Sequence, residues 1–428
     1  MAAMSDAVMP QTPEPRRRRS RRVIALVSVL GPGLIAANAG NDAGGIATYA
    51  SAGAQFGYRT LFVMVVLTVA YAVVQEMAAR LGVFSGEGLV SLFREQLPLR
   101  LGAFVILCLL VANFGLVVSE FAGIGAALEL FGVSRYLSIP IGAIAVWAIV
   151  VFGSYRYAER LFLLFTLPFL AYPIAAFLGH PKWGEVASNT FVPHVLASKG
   201  FLFLTVALIG TTITPYIQLY EAAAMVDRGM GPSDYPRARI DAVGGAIFSD
   251  LISVFIIIAT AAAIGDSGAL SSAKQAATAL RPVAGAGAEA LFAVGLLGAS
   301  ALAAAIVPLA TAHSLAEALG VERSQSKRFS EAPFFMGMFT AQIVVGSAIA
   351  LLPGNLISLL INLAVLNGLI APVVLGSILV LANRRSLLGD AANGPRFRVV
   401  ATVCVGFASI LAAIVFVQTV LGWLGLGR

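Results

Sequence analysis

Charge is what this chain has least of. Only 11% of its 428 residues are Asp, Glu, Lys or Arg, against roughly 25% in soluble globular domains. Hydrophobic residues make up 59%, and the mean hydropathy is +0.91. That shortage excludes a soluble globular protein. Cysteine is scarce too: Cys108 and Cys404 are the whole supply. Both fall in apolar runs, which excludes a disulfide framework and reads as two buried structural thiols. Of three histidines, only His313 lies in an apolar segment, one turn before Glu317. No HExxH, Gly-x-Ser-x-Gly or paired Asp dyad interrupts the apolar segments, which argues against an intramembrane enzyme. The net charge of +7 is spread over loops with no RNA- or DNA-binding motif, so no nucleic-acid partner is expected.

What the chain has in abundance is apolar runs of about 20 residues, the length of membrane helices, rather than barrel strands of about 10 alternating residues. Residues 1–22 are polar and end in Arg16–Arg19, Ser20, Arg21 and Arg22. They read as a disordered basic cytoplasmic tail with no cleavage site after it. Eleven apolar segments follow: about 23–40 with 45–56, then 58–81, 99–124, 137–153 and 159–178. After a polar loop, 179–198, come 199–213 with 217–228, then 241–264, 286–319, 332–352, 355–382 and 398–425. With the N-terminus inside, 21 of the 28 Lys and Arg residues fall on the inner side. The positive-inside rule therefore supports eleven spans, with the N-terminus cytoplasmic and the C-terminus extracellular.

Segments one and six alone are broken near their middles, and they lie five segments apart. Matching breaks in two halves point to an inverted-repeat transporter with its site at the midplane. The repeats would be 23–178 and 199–382, with 398–425 outside them. Break one contains Asn41, Asp42, Gly44 and Gly45; break two runs from Gly210 to Glu221 through Thr211, Thr214, Pro215, Tyr216 and Gln218. A carboxylate at membrane depth is a functional hypothesis by default. Pro215 lacks an N–H and frees carbonyls around Thr211. If the breaks face each other, one negative charge, freed carbonyls and the Thr214 hydroxyl converge, and a hard cation fits. The alternative is structural: Asp42 caps the helix that follows it and Pro215 kinks another.

Several motifs carry a family resemblance. Gly31–Ala37, GPGLIAA, is similar to the GPGFIAA opening of the Nramp divalent-metal transporters. Asp42–Gly45, DAGG, sits where that family has DPGN. Gln75–Leu89, QEMAARLGVFSGEGL, resembles its second-helix motif, and Thr214-Pro215-Tyr216 sits where it has MPH. The resemblance covers nearly the whole membrane length. It implies an all-α membrane protein of LeuT-type fold: two inverted five-helix repeats plus an eleventh helix, with helices one and six broken. It implies metal ligands at Asp42 and at the carbonyls of Ala39 and Thr211. Gly45 then replaces an Asn ligand and Thr214 a Met thioether. Asn367 lies near the family's tenth-helix glutamine.

These departures remove the soft ligand and widen the site, which suits hydrated Mg²⁺, and they resemble the Nramp-related magnesium transporter branch. Two helix-six histidines of the family are Tyr216 and Glu221 here. Ser119 and Ala122 align with a helix-three Asp and Glu, with Glu120 one residue off. Proton coupling is therefore expected to be weak or absent, with Glu221 or Glu120 as replacements. Uptake driven by potential alone gains roughly 4.6 kcal/mol per dication at 100 mV. Asn41, Tyr216, Gln218, Glu221, Glu120 and Asn367 are candidate cavity or gating residues. Glu76 and Arg80 are spaced to pair on one helix face. Asp250 is either a second cation ligand or a packing residue, and Asn362 and Asn367 are candidates for hydrogen bonds between helices.

The expected function is import of Mg²⁺ or Mn²⁺ across the cytoplasmic membrane by alternating access. The ion is substrate rather than cofactor, the bilayer is the surrounding partner, and no obligatory protein partner is implied. A conventional proton-coupled Mn²⁺/Fe²⁺ symporter and an organic-solute symporter of the same fold are the alternatives.

Overall fold

A computed structural model describes residues 41–152, 167–194, 196, 198–321 and 332–424. The tail 1–22, the first half of segment one with Ala39, and the start of segment five lie outside the described residues. Every described element is helical. Segment one continues as α1, Ala43–Phe56, and segment two is α2, Leu61–Ser85; a short helix α3, Leu89–Gln96, follows. Segments three and four are α4, Leu99–Glu129, and α5, Arg135–Phe152. Segment five ends in α6, Ala171–Leu178. The expected loop 179–198 is not wholly irregular: it holds α7, Trp183–Phe191. Segment six is α8, Lys199–Thr212, and α9, Pro215–Asp227. The long helices that remain are α10, Tyr235–Ile264; α11, Ala288–Leu319; α12, Pro333–Ala350; α13, Leu356–Ala382; and α14, Pro395–Trp423.

Among the described residues, nine helical stretches are long and apolar enough to cross a membrane. The expected eleven segments reduce to nine because α1 and α2 run together through a tight turn and segment five is only partly described. The ends follow local chemistry. Ser198 caps α8 by accepting from the Phe201 N–H at 3.3 Å, and Asn355 caps α13 by accepting from the Ser358 N–H at 3.0 Å. Pro215 stands at the first position of α9, where no N–H is needed.

Packing sorts the helices into two groups. In one, α10 packs on α1 and α2, α9 on α2, and α8 on α1 and α2; in the other, α4, α5, α11 and α12 all touch one another. The first group is segments 1, 2, 6 and 7, and the second is segments 3, 4, 8 and 9. Each group is two segments with their counterparts five later, as a repeat requires. The helix α13 lies between the groups, against α8, α4 and α1, with α14 on its outer side. At the α8–α13 crossing the backbones meet directly. A Cβ on Gly210 would lie 2.0 Å from the Ala364 carbonyl oxygen, and one on Gly368 would lie 2.1 Å from that of Val206. Only small residues allow this, the usual device where apolar lipid offers no hydrophobic drive to association.

The pair expected on α2 forms: Arg80 donates to Glu76 Oε2 at 3.1 Å, both nearly buried. Around it are the Ala391 carbonyl, which accepts from Arg80 at 2.8 Å, the Asn393 side chain, the Tyr235 hydroxyl on Glu76, and the Phe397 ring 5.1 Å from the guanidinium. One buried cation thus joins α2, the start of α10 and the α13–α14 connection. Both cysteines are free thiols; Cys404 is buried as expected, but Cys108 is only half-buried.

Candidate metal site between the two helix breaks

Asp42 is extended (φ −68°, ψ 178°) and caps α1. Its Oδ1 accepts from the Gly45 N–H at 2.6 Å. The structural role weighed in the sequence is therefore present, and it does not consume the side chain. Asp42 also lines a small cavity with Gly44, Ser119, Thr211 and Asn367. The cavity is about 10 Å³, room for roughly one water or one bare ion.

Three oxygens other than the carboxylate belong to this lining: Ser119 Oγ, Thr211 Oγ1 and Asn367 Oδ1. Each is buried and makes no hydrogen bond among the described residues. Buried oxygens are rarely left unmade, and each such case calls for an explanation such as a water or an ion. One carboxylate with hydroxyl and amide oxygens is a hard-cation donor set. Among the described residues no group of three or more His, Cys, Asp or Glu side chains could hold a metal, so any cation here depends on neutral oxygens.

The second break supplies the backbone. Thr211 is four residues before Pro215, so its carbonyl has no helical N–H to accept from. The Thr214 hydroxyl fills that place, donating to the Thr211 and Gly210 carbonyls at 2.9 Å each. It points at its own chain, and it is the Thr211 hydroxyl that lines the cavity. Gly45 is likewise turned to Asp42, while Gly44 lines the cavity: a Cβ on Gly44 would lie 3.0 Å from Ser119 Oγ.

Glu120 is completely buried, and its Oε2 accepts from the Ala43 N–H at 3.4 Å. A second carboxyl therefore stands beside Asp42 at the start of α1. Gln218 and Glu221 gather elsewhere, on α2: Gln75 Nε2 donates to Glu221 Oε2 at 3.0 Å, and Gln218 Nε2 donates to Gln75 Oε1 at 3.5 Å. Tyr216 is buried on the same helix. Asn41 turns the other way from Asp42, towards α10. Its Nδ2 donates to Ser249 Oγ at 3.4 Å and its Oδ1 accepts from Ser253 at 3.2 Å. Asn362 is exposed on α13. Ser119 entered the sequence reading only as an aligned position; nothing in its neighbourhood marks one buried serine from another.

Comparison with known proteins bears on this arrangement. The family described as Natural resistance-associated macrophage protein-like (Nramp) matches residues 33–418. The divalent metal cation transporter MntH of Agrobacterium fabrum is 28% identical over 292 residues, 65% of this chain and 62% of that protein. MntH of Aeromonas hydrophila is 24% identical over 412 residues, 92% of this chain and 96% of that protein. The aligned stretch thus spans under two thirds of the first relative and nearly all of the second. A crystal structure of an Eremococcus coleocola manganese transporter bound to an aromatic bis-isothiourea compound has a TM-score of 0.74 at 20% identity, covering 98% of this chain and 91% of that one. MhsT in complex with L-phenylalanine has a TM-score of 0.61 at 14% identity, covering 90% and 97%. At such identities the likeness shows the fold alone, and the fold is the LeuT-type one.

Proposed function

This chain belongs to the Nramp family, and from that premise we propose that it is a secondary transporter of divalent metal cations. It is a transporter and not an enzyme, and it lies in the membrane as a multi-pass protein. The relatives are named divalent metal cation transporters, and a structural neighbour is a manganese transporter. The observation that carries the reading is the meeting of Asp42 and Thr211, one from each helix break, on one cavity with three unbonded buried oxygens.

The finer reading is import of Mg²⁺ or Mn²⁺ across the cytoplasmic membrane by alternating access, with the N-terminus inside and the C-terminus outside. Asp42 supplies the charge. Thr211, Asn367 and Ser119 supply oxygens, and retained water completes the shell, with Ala39 as the further carbonyl expected from the family pattern. The absence of a thioether at Thr214 and of an amide at Gly45 supports a hard ion, while the cavity, at about 10 Å³, is not the wider site expected of a hydrated one. Coupling to protons is weak or absent, because Tyr216 and Glu221 stand where the family has histidines. The manganese named for the Eremococcus coleocola structural neighbour favours Mn²⁺ as the second reading.

The test is uptake of Mg²⁺, Mn²⁺ and Ca²⁺ in turn into proteoliposomes holding a pH dye. Saturable Mg²⁺ or Mn²⁺ uptake is expected, with little acidification. Absence of uptake for every ion refutes the transport reading. Stoichiometric acidification with Mn²⁺ alone replaces it with a proton-coupled manganese symporter.

A further inference from the structure

The side of α1 opposite Asp42 holds a second polar cluster that the metal site does not use. Its centre is Asp250, near the middle of α10 and 1% exposed. Its Oδ2 accepts no hydrogen bond among the described residues. Around it are hydroxyls from three helices: Thr68 of α2, Tyr71 of α2, and Tyr49 of α1, with Ser253 on α10 itself. The Tyr71 hydroxyl is also buried with no hydrogen-bond partner among the described residues.

No positive charge faces this carboxyl. The titratable groups turned to it are Tyr49 and Tyr71, with Asp42 beyond Tyr49 and Glu221 of α9 beyond Tyr71. Of the other elements packed on α10, α6 brings Tyr172, and the turns Gly57–Thr60, Pro232–Asp234 and Thr278–Leu280, at its ends, bring Tyr58, Arg59 and Asp234. Arg80 is near the C-terminal end of α2 and holds Glu76; Arg228 holds Asp241. An isolated carboxylate this deep in a membrane span is very costly, and the cost falls away when a cation or a proton joins it. A metal ion needs several oxygens closed about one point, whereas the Thr68 hydroxyl alone is placed to bond the Asp250 carboxyl. A proton needs only the carboxyl.

We propose that Asp250 is a proton-binding site, separate from the metal site, through which whatever proton coupling this transporter has is exerted. Two pairs of consecutive residues connect the sites. Asn41 bonds Ser249 and Ser253 on the Asp250 side, while Asp42 faces the metal cavity. The Thr212 hydroxyl meets the Tyr49 hydroxyl at 3.1 Å, while Thr211 lines the cavity. Loss of the proton places a charge behind both helix breaks, and a metal leaving Asp42 changes the field on the same two breaks. The coupling is reciprocal, and it is weak because no direct contact joins the two carboxyls.

This rests on the transport reading for its consequence but not for its test. Infrared difference spectroscopy of the full-length protein in detergent reads the protonated-carboxyl C=O stretch at neutral pH. That band should lose one component in Asp250→Asn and keep it in Asp250→Glu. In proteoliposomes, Asp250→Asn should continue to take up Mn²⁺ while the small accompanying acidification drops at least fivefold. An unchanged carboxyl band in a monodisperse Asp250→Asn protein overturns the proposal. So does wild-type uptake that responds to a Na⁺ gradient and loses that response in Asp250→Asn, since the bound ion is then sodium. Failure of all metal uptake in the wild type refutes the transport reading instead and leaves the infrared result to stand on its own.

Discussion

Asp42 caps a helix and faces a cavity, and two substitutions separate the cap from the proposed ligand role. Its Oδ1 caps α1 through the Gly45 N–H at 2.6 Å, and its carboxylate faces the cavity. Asn keeps an acceptor oxygen at the cap and removes the charge; Ala removes both. Loss of a cap costs about 1 kcal/mol, whereas Asn and Asp cap about equally well. Loss of the charge acts on the cation. Two unit charges 4 Å apart interact by about 4 kcal/mol at an effective dielectric of 20, and a dication doubles that. If desolvation offsets three quarters of it, about 2 kcal/mol remains, roughly a thirtyfold loss of affinity. Asp42→Asn should therefore unfold with the wild type in detergent yet lose at least thirtyfold in initial Mn²⁺ or Mg²⁺ uptake at low concentration. Asp42→Ala should lose uptake equally and unfold at a lower temperature. Normal uptake by Asp42→Asn would refute the ligand role. Equal stability of the two variants would refute the capping argument.

Other expectations follow from single contacts. Thr214→Met places a thioether by the break and releases the Gly210 and Thr211 carbonyls from the hydroxyl that bonds them; competition uptake should shift severalfold from Mg²⁺ towards Mn²⁺, and an unchanged ratio counts against the soft-ligand argument. Gly210→Ala puts a methyl 2.0 Å from the Ala364 oxygen, so thermal unfolding should show a loss of at least about 2 kcal/mol. Glu76→Gln strands the buried Arg80 and should cost about 3 kcal/mol, with much of that recovered in the Glu76→Gln/Arg80→Met double variant, as double-mutant unfolding can measure.

The helices were legible because apolar length and Pro215 are local signals. The second break was expected between 213 and 217 and is found between Thr212 and Pro215. Asp42 was legible because charge is so rare in these segments. The short helix α7 was not, since nine residues without a long apolar run look like any polar loop. The direction of the Thr214 hydroxyl was hidden as well. A threonine can bond carbonyls three and four residues back, and its sequence neighbours do not say when it does. Gln218 and Glu221 share a face of α9 by spacing, but their partner Gln75 is set by how α9 packs on α2. Ser119 became informative only when burial left its oxygen without a partner, whereas Asp250 stood out by its charge and burial left its Oδ2 unbonded.

The backbone contact between α8 and α13 has a mechanical consequence. Where side chains interdigitate, rotamer changes can absorb a change of crossing angle. Between Gly210 and Gly368 there are none to rotate, because each helix touches the other's peptide units. The first half of segment six, α8, is therefore geared to α13, and a tilt of one carries the other. Any relative swing along this segment falls to residues 213–214, just beyond the contact, where the helix is already open. The cavity oxygens of Thr211 and Asn367 sit on the geared side, so those two would travel as a fixed pair while Asp42 approaches or leaves them.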